Sequence, residues 1–263
     1  MPYRSHGQVR YWQDEALAQL GLIHGFFTRH GGVSPPPWHS LNTSVSVGDS
    51  RERVRENLRR AFAALERDPA SRYDTWLVHD ARVVRAEAPR GPRVPPLVAD
   101  GMVTSNPRVT LVMRFADCAP LLVYDPRRRV LALGHAGWRG TLAGVAPALV
   151  LALVHAYDSR PQDMVAVIGP SIGPEEYEVG PDVVHAVEQA FGPDQAAAFL
   201  PQRNGRTHFD LWAANAWLLR QAGVGQIRVS GISTAAATDD WYSHRAEQGR
   251  TGRFVVLAAL PEP

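Results

Sequence analysis

The segment DCAPLLVYDPRRRVLALGHAGWRG, Asp117 to Gly140, contains two apolar runs, Leu121 to Asp125 and Val130 to His135, separated by the four residues PRRR. Two strands joined by so short a polar loop read as an antiparallel hairpin. If Asp125 faces Val130, then Pro120 faces His135 and Cys118 faces Gly137. Cys118 and His135 are then diagonal neighbours on one face, about 7–8 Å apart at the backbone. A slip of one residue would send them to opposite faces, so the expectation depends on that turn.

Outward from the hairpin, Val109 to Phe115 is a further β-rich run, and Thr141 to Tyr157 reads as an apolar, alanine-rich helix with Thr141 as its N-cap. Upstream, HGFFTRHGGVS reads as a strand entering a glycine turn. RERVRENLRRAFAAL has helical periodicity through Val54, Leu58, Phe62 and Leu65, and TWLVHDARVVRA reads as strands. Downstream come the strand MVAVIG, the loop PSIGPEEYEVG, helices over PDVVHAVEQAF and DLWAANAWLLRQAG, and strands IRVSGIS and RFVVLAAL. Strands and helices do not alternate strictly and no GxGxxG is present, which favours an α+β mixed-sheet fold over a doubly wound one. No repeat or long linker divides the chain, so residues 1–263 are expected to form a single domain.

Composition excludes several chemistries. The 28 basic residues are all arginine, so there is no lysine for a Schiff base, a pyridoxal phosphate or a Walker phosphate loop. Anions must be held by arginine, histidine or backbone N–H groups. A net charge of +2 with scattered arginines argues against a nucleic-acid partner. The apolar stretch Val145 to Val154 is too short to span a membrane, and the first residues lack the apolar core of a secretory signal. A single cysteine agrees with a reducing compartment. The expectation is a cytoplasmic protein, monomer or homodimer, without nucleic-acid or membrane partners.

A sulfur and an imidazole converging at a hairpin mouth suit either a zinc site or a Cys/His nucleophile pair. Catalytic zinc usually has three protein ligands and an open position, and His79, in a strand-like apolar run, is the best third candidate. His24, beside a strand, and His155 and His185, on helices, read as structural. Gly137, Trp138, Arg139 and Gly140 lead into the helix and would present backbone N–H groups and a guanidinium beside the site, an arrangement suited to an anion.

With these residues in view, the sequence resembles the multicopper polyphenol oxidase or laccase-domain family, whose members are now regarded as purine nucleoside phosphorylases. The matching segments run in order through nearly the whole chain: FFTRHGGVS, SLN at Ser40 to Asn42, VGD, VH at Val78 and His79, ADGMVT, ADCAPLL, GHAGWRGT, IGPSIGPEEYEVG, HFDL, and YSHR followed by TGR. The resemblance implies a single domain of layered mixed β-sheets flanked by helices, αββα-like, with zinc on His79, Cys118 and His135. It also implies phosphorolysis of adenosine, inosine and S-methyl-5'-thioadenosine, with hydrolytic deamination of adenosine. Arg29, Asn42 and Arg139 match family motifs and are the candidates for holding phosphate and ribose. Leu77 and Asp80 replace the family's usual glutamine and glycine around VH, Ser233 replaces a common cysteine, and His244 and Ala246 depart from the usual aromatic and arginine.

Three other readings compete with this one. One cysteine with two histidines resembles a blue-copper ligand set, but a copper-dependent laccase needs further histidine pairs and the chain has no HxH. A metal-free cysteine hydrolase would need a free Cys118 thiolate. A non-catalytic nucleoside- or metal-binding protein would keep the site without turnover.

Overall fold

The computed structural model describes residues 3–262. Two six-stranded mixed sheets stack face to face. The first runs in the order β1 (Tyr3–His6), β2 (Val9–Trp12), β3 (Ile23–Phe27), β14 (Phe254–Ala259), β7 (Thr110–Phe115) and β4 (Arg72–Asp74). The second runs β13 (Gln226–Val229), β10 (Val165–Ile168), β8 (Ala119–Asp125), β9 (Val130–Ala136), β6 (Gly101–Thr104) and β5 (Val83–Arg85). A small hairpin, β11 (Gln202–Arg203) with β12 (Arg206–Thr207), stands apart. Parallel pairs β4–β7, β5–β6 and β10–β13 make both large sheets mixed.

The packing explains the layers. Phe26, Met113, Phe115 and Val256 of the first sheet meet Met102, Leu122, Leu131 and Val167 of the second in one buried core. The outer face of the first sheet is covered by α2 (Arg51–Ala64), whose Val54, Leu58 and Phe62 form the expected apolar stripe. The outer face of the second is covered by α4 (Val145–Tyr157) and α7 (Leu211–Gln221). A side cluster joins α3 (Trp138–Ala143), α5 (Pro181–Phe191) and α6 (Pro193–Phe199), while α1 (Glu15–Gln19) is a single capped turn near the amino terminus. The result is the α+β, αββα-like arrangement expected. No helix among the described residues is long and apolar enough to cross a membrane.

Every residue of β8 and β9 is buried, because the second sheet has an apolar layer on both sides. Hydrophobic alternation therefore cannot choose their register. The turn does so: the buried Asp125 carboxylate accepts from the backbone N–H groups of Arg127 at 2.9 Å and Arg128 at 3.1 Å. Asp125 pairs with Val130 and Pro120 with His135, the register expected from the sequence.

Two expectations need correction. Thr141 is not an N-cap but a buried residue inside α3, which begins at Trp138 with Gly137 as its cap. That helix stops at Gly144, whose φ of 85° is left-handed, and α4 starts at once. Pro147 accounts for the break, since in a continuous helix it would remove one hydrogen bond and clash with the preceding turn. TWLVHDARVVRA is also not a run of strands. Only Val83–Arg85 is a strand, Trp76 makes an isolated bridge to Val98, and His79 has a φ of 65° in the loop between them.

His24 is fully buried; its Nδ1–H donates to the Leu22 carbonyl at 2.9 Å, and its Nε2 accepts from Asp14 N–H at 3.0 Å. His155 and His185 lie on exposed helix faces.

Candidate metal centre and cavity

Cys118 sits immediately before β8. Asp117, with a φ of 82°, bends the chain out of β7, and its carboxylate accepts from Thr234 Oγ1 at 2.8 Å and Arg245 N–H at 2.6 Å. His135 lies on β9, across from the residue two beyond Cys118. Opposite Cys118 stands Gly137, where a Cβ would come within 2.8 Å of Cys118 Sγ and 3.4 Å of His79 Cδ2. Its φ of −77° is open to any residue, so the glycine is required by close approach alone.

His79 reaches the same point from its loop. The ligand atoms of His79, Cys118 and His135 all lie within 4.8 Å of one another, and the imidazole centroids of His79 and His135 are 5.0 Å apart. Pairing of Gly101 with Gly134 brings Asp100 opposite His135. His135 Nδ1–H donates to Asp100 Oδ1 at 3.0 Å, which leaves Nε2 for the centre. Asp100 Oδ2 accepts from Val78 N–H at 2.9 Å and Asp80 N–H at 3.2 Å, the residues flanking His79. The ring of Phe115 backs His135 with centroids 5.4 Å apart.

The electrostatics fit a metal or a nucleophile. Burial alone would push the Cys118 thiol up, but the charge and N–H of His135, with His79, more than offset it and bring it down to about 6. Burial likewise opposes a charged His135, yet Cys118 and Asp100 raise it to about 9. Asp100 would also be raised by burial, but hydrogen bonds from His135, Val78 and Asp80 hold it below the usual carboxylate range. Cysteine is thereby favoured as thiolate, the form that binds metals and attacks electrophiles.

The three residues line a cavity of about 1150 Å³ that runs past the end of β7 to the face of α2. Arg139, on the first turn of α3, also lines it, with its guanidinium 4.4 Å from the Trp138 ring centroid. Arg29 and Asn42 are not among the lining residues. Arg29 donates to the carbonyls of His39 at 2.9 Å and Thr238 at 2.6 Å and to Glu247 Oε1 at 3.1 Å, and lies over the Tyr242 ring. Asn42 is fully buried; its amide donates to Ser44 O and Asp49 Oδ2, and its oxygen accepts from Ser44 and Arg253 N–H. Both hold loops bordering the cavity. The anion-binding helix expected after GWRG is only the six residues of α3, so Arg139 is what remains of that arrangement.

Asp100, Tyr177, Arg114 and Arg253 escaped the sequence reading as site residues. Asp100 and Arg253 lie in quoted motifs, ADGMVT and TGR, but their partners come from strands distant in sequence. Tyr177 also lies in a quoted motif, IGPSIGPEEYEVG, where nothing marked it as a cavity residue, and Arg114 carried no local signal.

The family model described as multi-copper polyphenol oxidoreductase laccase matches residues 23–261. A protein named purine nucleoside phosphorylase from Deinococcus radiodurans is 40% identical over 244 residues, covering 92% of this chain and 90% of that protein. Purine nucleoside phosphorylase YlmD of Bacillus subtilis is 34% identical over 262 residues, covering 97% and 94%. The crystal structure of Bacillus licheniformis hypothetical protein YfiH superposes with a TM-score of 0.89 at 32% identity, covering 98% of this chain and 99% of that one.

Proposed function

The chain belongs to the multi-copper polyphenol oxidoreductase laccase family, and from that membership we propose that it is a zinc-dependent purine nucleoside phosphorylase. The observation that carries this reading is the convergence of His79, Cys118 and His135 at the wall of a cavity large enough for a nucleoside. Inosine, adenosine and S-methyl-5'-thioadenosine are the proposed substrates with phosphate, and adenosine deamination is the proposed side activity, in a reducing cytoplasm.

The residues fit a zinc ion. One thiolate and two imidazoles are an ordinary zinc set that leaves a fourth position open. The Asp100 carboxylate behind His135 is the outer partner such ligands normally have. Bound there, zinc supplies Lewis acidity beside the substrate.

In phosphorolysis a phosphate oxygen bonds to the ribose anomeric carbon as the carbon–N9 bond breaks. The purine leaves with the bonding pair and takes up a proton. The chain's part is positioning and charge: Arg139 faces the cavity for ribose or phosphate, and Arg29 and Asn42 hold its bordering loops. The test is to measure metal content and, on the same sample, base release from each nucleoside with and without phosphate. Release that needs phosphate supports the reading; equal release without it overturns it.

The Cys118, His135 and Asp100 series also suits a cysteine hydrolase. His79, within 4.8 Å of both other ligand atoms, favours metal instead. Metal-free protein that cleaves an ester or amide would support the hydrolase.

A further inference from the structure

We propose that Arg114 and Arg253 form the phosphate subsite of this cavity, beyond the metal centre and separate from Arg139. The inference rests on the phosphorylase reading for the identity of the anion, but its geometry stands alone. Strand β14 begins opposite Phe115, with Phe254 paired to Phe115 and Val255 to Arg114. Arg253, just before that ladder, is therefore a diagonal neighbour of Arg114 across the two strands. Thr43 ties them together: Arg114 Nε–H donates to its carbonyl at 2.6 Å, and its N–H and Oγ1–H donate to the Arg253 carbonyl at 3.0 Å and 2.9 Å. Both side chains are half-buried and both line the cavity.

Positive charge here exceeds its local compensation. Asp74 is the acid at Arg114, 3.4 Å from Nη1, and the same carboxylate serves Arg90 Nε at 2.9 Å and Arg72 Nε at 3.8 Å. Arg253 meets no carboxylate within ion-pair distance among the described residues; its Nη1 donates to the backbone carbonyls of Gly252 and Thr251. Burial pulls both guanidiniums below the usual arginine value, only partly offset by Asp74 at Arg114 and by Cys118 and Asp117 at Arg253. Glu52 and Glu56 of α2 also line the cavity, with Glu56 already bonded to Arg59 and Arg60. Two adjacent, under-compensated guanidiniums are the usual means of holding a phosphate by paired N–H bonds.

The placement suits the reaction. Arg253 directly precedes Phe254, the partner of Phe115, and Cys118 follows Phe115 by three residues, so Arg253 and the metal centre meet at the same end of β7. Phosphate held there and a nucleoside held at the centre share one space. Arg139, an exposed residue of the cavity wall, is left for the ribose.

The test titrates inorganic phosphate into the zinc-loaded protein by calorimetry, with Arg114→Gln, Arg253→Gln, Arg139→Gln and the two arginine-to-lysine variants, and checks metal content throughout. The expected result is phosphate binding by the wild type, weakened at least tenfold in either Arg114→Gln or Arg253→Gln, and partly restored by lysine. The KM for phosphate should rise correspondingly while that for nucleoside changes little. Unchanged phosphate affinity in both glutamine variants, no phosphate binding by the wild type, or loss confined to Arg139→Gln overturns the proposal. If a glutamine variant does not fold, the matching lysine variant decides: a geometry-dependent paired site loses affinity with lysine, and full wild-type affinity there overturns it. Phosphate binding that depends on the pair in a protein that cleaves no nucleoside would leave the subsite standing and remove the phosphorylase reading.

Discussion

One carboxylate, Asp100, serves two of the three ligands: it accepts from His135 Nδ1–H at 3.0 Å and from the backbone N–H groups on either side of His79. It therefore sets both the tautomer of one imidazole and the loop that carries the other.

Asp100→Asn should keep the fold but weaken zinc binding about 10- to 100-fold, the usual cost of losing an outer partner. Competition against a chromogenic chelator measures it. Wild-type affinity in that variant would mean that packing alone positions the ligands.

Gly137→Ala isolates the close approach at the centre. The backbone there accepts alanine, but the added methyl would lie 2.8 Å from Cys118 Sγ. Metal content should fall sharply while the far-ultraviolet spectrum stays that of the wild type. Full zinc occupancy would show that the cysteine can move aside.

His24 should make the protein acid-sensitive. Burial, its largest influence, outweighs the hydrogen bonds and Asp14 and lowers its pKa from 6.5 to about 4. The unfolded state takes up a proton as pH drops below 6.5, and the folded state does not until about 4. Stability attributable to this residue is thus full above pH 6.5 and is lost towards pH 4, by roughly 3 kcal/mol over the window. Urea unfolding at several pH values should show this slope, and His24→Asn, although less stable at neutral pH, should flatten it. An equal slope in the variant would place the acid sensitivity elsewhere.

Arg29 should matter to shape more than to metal. Its guanidinium joins the loop carbonyls of His39 and Thr238 to Glu247. Arg29→Gln is expected to destabilise the fold by about 1–3 kcal/mol and to leave zinc content intact. A fall in zinc without a fall in melting temperature would tie Arg29 to the centre instead.

The Cys118–His135 relation was legible because Asp125 and a four-residue turn lock two consecutive strands. His79 was legible as a residue but not as a conformation: its left-handed backbone depends on Asp100, and Asp100 meets His135 only through pairing of β6 with β9. Arg114 and Arg253 join through the pairing of β7, in the middle of the sequence, with β14, the last strand. Local periodicity carries no record of such pairings. The helix over Thr141 to Tyr157 was misread because Gly144 and Pro147 sit in an otherwise uniform apolar run.

The most direct measurement is zinc content together with phosphate-dependent inosine cleavage in wild type and Cys118→Ala. Wild type should carry stoichiometric zinc and release hypoxanthine only with phosphate, and Cys118→Ala should lose both zinc and turnover. A Cys118→Ala variant with full activity would contradict the zinc centre as the site of the reaction.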